Sequence, residues 1–360
     1  MYKHLCKAHC ADRYSAASIP ITHVSKKQLP NRLLVGSLKS EAGKPPIVSK
    51  ILLVAGLLAT LIGHGLFCSI PAEAAEALAQ TTASISGSVE PEIVSITVPG
   101  AGTFGGDIDM RAEVYKPAGN GPFPTLIFSH GRAADRLDRA NLKYPIPKGH
   151  VRYWLAKGIA VVAPIRVGYG ATGGADQEAS GAFINATGVC TSKPDFPHLV
   201  KVTRDITLTA LAWTRAQPWV DKDRIILEGQ SVGGFATIAA VAAQPPGVIG
   251  YINFAGGAAG WPDHAPGHSC DQEQLREVIG ELGKTAKIPG LWLYAKNDQY
   301  WGPDAPNEWY RAFAAGGSPA EFIHAAELPG RDGHLLMYYG GKLWSVHVDR
   351  FVKALGLSPK

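Results

Sequence analysis

After residue 92 the sequence alternates short apolar runs with longer amphipathic segments, and this alternation limits the possible folds more than any other feature. Eight runs have the length of strands, and several are continuously β-branched or apolar, which is typical of strands covered on both faces of a parallel sheet. They cover residues 93–98, 112–116, 125–129, 160–164, 224–228, 250–254, 290–295 and 321–327. The pattern predicts an α/β fold with a doubly wound, mostly parallel eight-stranded sheet that begins with an antiparallel hairpin.

Five segments between or after these runs have helical periodicity. They cover residues 199–216, 233–243, 271–282, 307–315 and 342–355. In the first of them, Leu199, Val202, Ile206, Ala210 and Trp213 recur at three-to-four-residue spacing on one face. We see no internal repeat, and residues 91–360 are predicted to form a single domain.

The N-terminal segment resembles a secretory leader. Residues 1–50 hold nine basic and two acidic side chains, an apolar run follows at 51–62, and a small-x-small site ends at Ala74. This arrangement predicts a signal peptide within residues 1–74, cleaved after Ala74, and a flexible lead-in over residues 75–90. The alternatives are a membrane anchor or a buried helix; the anchor is disfavoured because Gly63, His64 and Gly65 interrupt the apolar run.

The charge of the chain is concentrated in that leader. The full sequence has a formal net charge of +5, but residues 75–360 contain 26 basic and 27 acidic side chains. The predicted mature protein therefore gives no reason to expect a nucleic-acid partner. We expect a protein exported to the periplasm or the extracellular space, without a stable membrane anchor after cleavage. Its oligomeric state stays open.

Two cysteines, Cys190 and Cys270, remain after the predicted cleavage. An even number of cysteines in an exported chain favours a disulfide, and both lie in connections predicted at the same side of the sheet. The alternative is two isolated buried thiols. The His and Cys residues between positions 4 and 10 lack the second half of a zinc module, so no metal site is predicted.

A Gly-x-Ser-x-Gly motif connects a predicted strand to a predicted helix. It reads Gly229-Gln-Ser231-Val232-Gly233. In this context the motif predicts a nucleophile elbow, in which a tight turn exposes the Ser231 hydroxyl above the sheet. The backbone N–H of Val232 would then face a developing oxyanion. The alternative is a glycine-rich turn with an incidental serine.

The segment LAWTRAQPWVDKDRIILEGQSVGG, residues 211–234, resembles the α/β-hydrolase superfamily, particularly its dienelactone hydrolase-like and prolyl-oligopeptidase-like branches. The resemblance extends over roughly residues 93–356 in the order of elements, although its specific motifs are short. It implies that residues 91–360 form an α/β-hydrolase catalytic domain. It also implies a catalytic serine followed in the chain by an acid and then a histidine.

Asp298 and His334 are the candidates for that acid and histidine. Asp298 follows the predicted strand 290–295, and His334 lies on a short loop between the last predicted strand and the last helix. A carboxylate at the end of a strand can hold an imidazole tautomer, and a loop histidine can reach the serine as general base. Asp304 is the nearest competitor of Asp298.

The resemblance places a second oxyanion donor after the third strand, where the backbone N–H of Arg132 is the candidate. The Arg132 side chain is either a surface charge or a ligand for an acyl carboxylate. Arg166, Tyr300 and Trp301 follow strands at the same predicted sheet edge and are candidates for substrate binding. The alternative is that the aromatic residues pack beneath loops.

These residues predict a serine hydrolase that cleaves carboxylic ester bonds of a small-molecule substrate through an acyl-enzyme, with no metal or organic cofactor. One alternative is a peptidase or amidase of the prolyl-oligopeptidase-like type, although the chain has no room for the large propeller that usually precedes such domains. The other is a non-catalytic binding protein on the same scaffold.

Overall fold

The computed structural model describes residues 89–357. The predicted signal peptide, its cleavage site after Ala74 and almost all of the predicted lead-in lie outside these residues. Within them, no helix is both long and apolar enough to cross a bilayer.

One eight-stranded sheet organises the described chain. Its strands are β1 (Glu92–Val98), β2 (Ile108–Tyr115), β3 (Phe123–Ser129), β4 (Ala160–Pro164), β7 (Val220–Gln230), β8 (Val248–Phe254), β9 (Gly290–Ala295) and β10 (Ala320–Ala325). They lie in the order β1-β2-β4-β3-β7-β8-β9-β10. The pairs β1–β2 and β2–β4 are antiparallel and all others are parallel. This topology confirms the predicted α/β-hydrolase fold.

Helices cover both faces of the sheet, as a doubly wound fold requires. They are α1 (Arg136–Ala140), α2 (Lys148–Leu155), α3 (Phe196–Arg215), α4 (Val232–Val241), α5 (Gln272–Thr285), α6 (Ala305–Ala315), α7 (Leu336–Tyr339) and α8 (Gly341–Ala354). Helices α3, α4, α5 and α6 contribute to one buried hydrophobic cluster, and α2 and α8 contribute to a second. Apolar side chains on both faces of the same strands explain the nearly continuous apolar runs of the sequence.

The five predicted helices and eight predicted strands are all present, with shifted ends. The last strand stops at Ala325 rather than at residue 327, and the second begins at Ile108, four residues earlier than predicted. Sequence periodicity did not identify α1, α2 and α7, which are five, eight and four residues long. Such short helices offer few repeats of a 3.6-residue pattern.

Two long connections emerge at the carboxyl edge of the parallel strands. The first runs from residue 165 to 195 and contains a small antiparallel ribbon of β5 (Phe183–Ile184) and β6 (Cys190–Ser192). The second runs from residue 255 to 271. A disulfide between Cys190 and Cys270 joins the two, with 5.7 Å between the Cα atoms, and confirms the predicted pairing.

Candidate active site

Ser231 occupies a strained turn between β7 and α4. Its backbone has φ 58° and ψ −126°, in a region that non-glycine residues rarely adopt. Its N–H donates to the carbonyl of Phe254 on the neighbouring strand, at 2.9 Å. The surrounding chain therefore holds the serine in a conformation it would not adopt freely, as expected of a nucleophile elbow.

The glycines of the motif are required by close packing. A Cβ on Gly229 would lie 2.0 Å from the carbonyl oxygen of Gly233. A Cβ on Gly233 would lie 2.0 Å from the carbonyl oxygen of Ser129. Neither position can hold a side chain without moving a strand. Because these two glycines have no side chains, the start of α4 can pack against the ends of β3 and β7.

Asp298 and His334 form a buried hydrogen-bonded pair. His334 Nδ1 donates to Asp298 Oδ2 at 3.0 Å, and only 2% of Asp298 is exposed. The other carboxylate oxygen accepts the backbone N–H groups of Tyr300, at 2.8 Å, and Trp301, at 3.1 Å. This arrangement fixes the carboxylate and leaves His334 Nε2 as the nitrogen available for proton transfer.

The His334 loop is clamped to the loop that carries Asp298. Asp332 Oδ1 accepts hydrogen bonds from the backbone N–H groups of both His334 and Gln299, each at 2.8 Å. Gln230, the residue before the serine, donates from its side chain to the His334 carbonyl at 3.2 Å. The loops after β7, β9 and β10 are therefore connected by side-chain hydrogen bonds.

Aromatic rings restrict the His334 imidazole. Tyr300 stacks against it with 3.9 Å between ring centroids, and Trp301 meets it edge-on at 5.4 Å. Trp301 is itself fixed, because its indole N–H donates to the Ala255 carbonyl at 2.7 Å. The orientation of the imidazole is thus set by packing as well as by Asp298.

Ser231 and His334 line the same cavity, of about 350 Å³. Within residues 89–357, no hydrogen bond joins the Ser231 hydroxyl to His334. Catalytic contacts of this kind commonly shorten only when a substrate is bound. The structure thus brings Ser231 and His334 to one cavity, and Asp298 is buried next to His334.

A second, larger cavity of about 490 Å³ lies on the other side of Ser231. Both cavities share Ser231, Arg132 and Tyr300, but only the smaller one is lined by His334. Trp301 lines the larger one. Tyr300 and Trp301 are therefore at the cavity walls, and Trp301 also packs beneath its loop. Substrate contact by these two residues stays a prediction.

The candidate oxyanion donors lie on either side of Ser231. Val232 is the first residue of α4, whose N-terminus carries a partial positive charge. Arg132 comes three residues after the end of β3 and lines the larger cavity together with Ser231 and Val232. In the described part of the chain, neither backbone N–H donates to a protein acceptor, so both are free to bind a developing negative charge.

The Arg132 side chain has a partner that the sequence did not indicate. Its guanidinium donates to both carboxylate oxygens of Asp176, each at 2.6 Å, and Arg139 approaches the same carboxylate at 3.1 Å. The side chain is thus neither a free surface charge nor an unoccupied site for an acyl carboxylate. It anchors the segment that carries the backbone donor.

His130 holds the same segment as a neutral imidazole. Its Nδ1 donates to the Gly131 carbonyl at 2.7 Å, and its Nε2 accepts the Arg166 backbone N–H at 3.1 Å. Burial, together with the adjacent Arg166 cation, lowers the pKa of His130 to about 3. The imidazole therefore stays uncharged at neutral pH.

The structure places Arg166, a predicted substrate contact, away from both cavities. Only 1% of this residue is exposed, and it lines neither cavity. Its guanidinium binds the Glu178 carboxylate and the His130 carbonyl. Burial would raise the pKa of Glu178, but Arg166 lowers it to about 2, so the two form a buried ion pair. We therefore assign Arg166 a structural role in the 165–195 connection.

Several supporting residues were missed from the sequence. Asp176, Glu178 and Asp332 are isolated acidic residues in loops, and no local motif marks their partners. Gln230 occupies a variable position of the elbow motif, and its contact with His334 depends on residues more than 100 positions apart. Residues 89–357 hold no cluster of potential ligands suited to a metal ion.

Comparison with known proteins gives structural neighbours only. No family model and no curated protein matches the chain. The chain is similar to an acylaminoacyl peptidase from Pyrococcus horikoshii, with 15% identity and TM-score 0.49 over 78% of this chain and 44% of that one. It is also similar to an esterase from Pyrococcus furiosus, with 14% identity and TM-score 0.48 over 74% and 91% of the respective chains.

A third neighbour is a putative dienelactone hydrolase from Klebsiella pneumoniae, with 16% identity and TM-score 0.43 over 74% of this chain and 99% of that one. The chain thus spans less than half of the acylaminoacyl peptidase but nearly the whole of the smaller enzyme. At such identities only the fold is comparable, and its assignment follows from the strand order of the sheet.

Proposed function

We propose that the protein is an exported serine hydrolase that cleaves carboxylic esters. The observation that supports this most strongly is the strained Ser231 in one cavity with the Asp298–His334 pair. A turn that holds a serine at φ 58° costs free energy, on the order of 1–3 kcal/mol, and such strain is characteristic of functional sites.

In the proposed reaction, Ser231 Oγ attacks the ester carbonyl while His334 Nε2 takes the hydroxyl proton. The carbonyl oxygen becomes an oxyanion that the backbone N–H groups of Val232 and Arg132 bind. His334 then returns the proton to the leaving alkoxide, which departs as the alcohol and leaves an acyl-enzyme. Water, deprotonated by His334, hydrolyses that intermediate and restores Ser231.

Asp298 stabilises the imidazolium that forms in each half of the reaction. Because both of its oxygens already accept hydrogen bonds, it holds one imidazole tautomer without moving. These steps use only groups of this chain and require neither a metal nor an organic cofactor.

The lack of an uncompensated carboxylate at the cavities favours esters over peptides with a free amino terminus. Glu178 is the acidic side chain that lines the larger cavity, and it is paired with Arg166. A cationic amine would therefore find no free counter-charge among the described lining residues. Peptidase or amidase activity is the alternative outcome of the test below.

The test is a hydrolysis screen of p-nitrophenyl esters alongside aminoacyl anilides, with Ser231→Ala as the control. We expect the wild-type protein to hydrolyse the esters, and we expect the Ser231→Ala variant to do so at least about 10³-fold more slowly. Faster turnover of anilides would replace the ester assignment with an amidase one. Absence of any turnover by folded protein would favour a binding role.

Export is the part of the proposal that concerns residues 1–74. The basic leader, the apolar run and the small residues before Ala75 support it, and a disulfide is typical of oxidising compartments. We expect the exported form to begin at Ala75, which N-terminal sequencing can check. A secreted form that retains residues 1–47 would contradict this proposal.

A further inference from the structure

The Cys190–Cys270 disulfide joins two connections that both line the larger cavity. One wall is the segment from Glu178 to Ile184, and the other runs from Ala258 to Trp261. We use the name flap for residues 178–192, which include the first wall and the β5–β6 ribbon. None of the residues proposed for the triad lies in the flap.

The two cavities can be assigned to the two halves of an ester by the position of His334. A leaving alkoxide must accept its proton from His334, so the alcohol part has to lie where the imidazole is exposed. His334 lines the smaller cavity and does not line the larger one. The alcohol part therefore belongs in the smaller cavity and the acyl part in the larger one.

The disulfide links the flap to the 255–271 connection. In the ribbon Ile184 is paired with Cys190, and its carbonyl accepts a hydrogen bond from His264 Nδ1 at 3.2 Å. Ile184, Ala265 and Cys270 form a small buried cluster that is separate from the two main cores. The flap thus has its own limited packing, and the covalent link supplies much of its attachment to the 255–271 connection.

The charges beside the larger cavity are already neutralised. Its charged lining residues are Arg132, paired with Asp176, and Glu178, paired with Arg166 and bonded to the Tyr169 hydroxyl. The other lining residues are mainly small or apolar and include Ile184, Leu199 and four aromatic side chains. Because an ionised acyl group would find no free partner there, an uncharged and apolar one fits best.

We propose that the flap, held by the Cys190–Cys270 disulfide, determines acyl specificity, and that the preferred substrates are esters of uncharged, apolar acyl groups well above acetyl in size. This inference rests on the proposed ester hydrolase function. A volume of about 490 Å³ is far more than an acetyl group fills, so acetyl esters gain little from the flap.

The first experiment removes the disulfide in the double variant Cys190→Ala/Cys270→Ala. Rates are measured for p-nitrophenyl acetate, hexanoate and benzoate. We expect kcat/KM for the two larger esters to fall by at least about tenfold while that for the acetate changes by less than about threefold. Because Cys190 is exposed, reduction of the wild-type protein should reproduce the effect. An equal loss with all three esters would overturn the proposal.

A matched pair of substitutions tests the assignment of the cavities without breaking the disulfide. Ile184→Trp narrows the larger cavity, and Ile146→Trp narrows the smaller one. Each variant is assayed with two series, one varying the acyl group on p-nitrophenol and one varying the alcohol of an acetate. We expect Ile184→Trp to lower kcat/KM for esters of large acyl groups, and Ile146→Trp to lower kcat/KM for esters of large alcohols.

The reverse pattern would overturn the assignment of the cavities and the role of the flap with it. Wild-type protein that hydrolyses none of the three p-nitrophenyl esters would instead overturn the proposed function on which the inference rests. Circular dichroism of each variant shows whether a loss of rate reflects unfolding. The internal standard is the alcohol series for Ile184→Trp and the acyl series for Ile146→Trp.

Discussion

At the scale of single residues, the site depends on a buried carboxylate, Asp298, whose two oxygens both accept hydrogen bonds. Asp298 accepts three, from His334 and from the backbone of Tyr300 and Trp301. A carboxylate that accepts this many hydrogen bonds is held in one orientation. The tautomer of His334 is therefore set before any substrate arrives.

Asp298→Asn should lower kcat for a p-nitrophenyl ester by about 10³–10⁴-fold, because an amide can face His334 Nδ1 with a donor and favour the wrong tautomer. Steady-state kinetics of the purified variant measure this. Asp304→Asn is the matched control, because Asp304 follows the same strand and its side chain makes no capping bond to α6. Equal kcat values for the two variants would show that Asp298 has no role in the reaction.

At the scale of elements, the strand–turn–helix of the elbow was predictable because its signal is local. Gly229, Ser231 and Gly233 lie within five residues, and the glycines mark the close approach seen in the structure. The positions of Asp298 and His334 were predictable for a related reason, since each follows a strand whose apolar run is clear. Strand ends in a parallel sheet meet at one edge.

The walls of the cavities were not predictable in this way. They come from the long connections, where Asp176 binds Arg132 and Glu178 binds Arg166 through contacts between distant residues. Arg166 was predicted to contact substrate because it follows a strand at the site edge. A nearby carboxylate, which no local pattern reveals, instead binds it inside the protein.

Gly233→Ala should destabilise the fold by at least about 3 kcal/mol, because the new Cβ would overlap the carbonyl oxygens of Ser129, at 2.0 Å, and His130, at 2.4 Å. Denaturant unfolding gives the change in free energy. Gly149→Ala is the control: nothing lies within 4 Å of its Cβ, and alanine favours the helix. A Gly233 variant as stable as the control would contradict the close packing described for the elbow.

At the scale of the whole molecule, a buried ionic network connects the 165–195 connection to the end of β3. Arg166 bonds to both Glu178 and the His130 carbonyl, and His130 accepts the Arg166 backbone N–H. Since these groups are out of water, their protonation is linked to folding. The network should therefore make stability depend on pH.

The free energy of unfolding should fall as the pH decreases from about 6.5 toward 4.5. Burial and the Arg166 cation lower the pKa of His130 to about 3, whereas an unfolded histidine titrates near 6.5. In this pH window the histidine binds a proton in the unfolded chain but not in the folded protein. The free energy of unfolding therefore has its full value above about pH 6.5 and falls below it by up to about 1.4 kcal/mol per pH unit.

Denaturant unfolding at several pH values measures this slope for the wild-type protein and for His130→Gln. We expect a flatter dependence in the variant between pH 6.5 and 4.5. Below that window the carboxylate of Glu178, whose folded pKa is about 2, contributes in the same direction. Identical slopes for the two proteins would show that His130 is not the linked group.

Covalent labelling with a fluorophosphonate probe, followed by peptide mapping, tests most directly whether Ser231 is an activated nucleophile. We predict a single adduct on Ser231, formed more slowly by Asp298→Asn and absent from Ser231→Ala protein that is still folded by circular dichroism. Folded wild-type protein that stays unlabelled, or an adduct on a different serine, would contradict the assignment of Ser231 as the nucleophile.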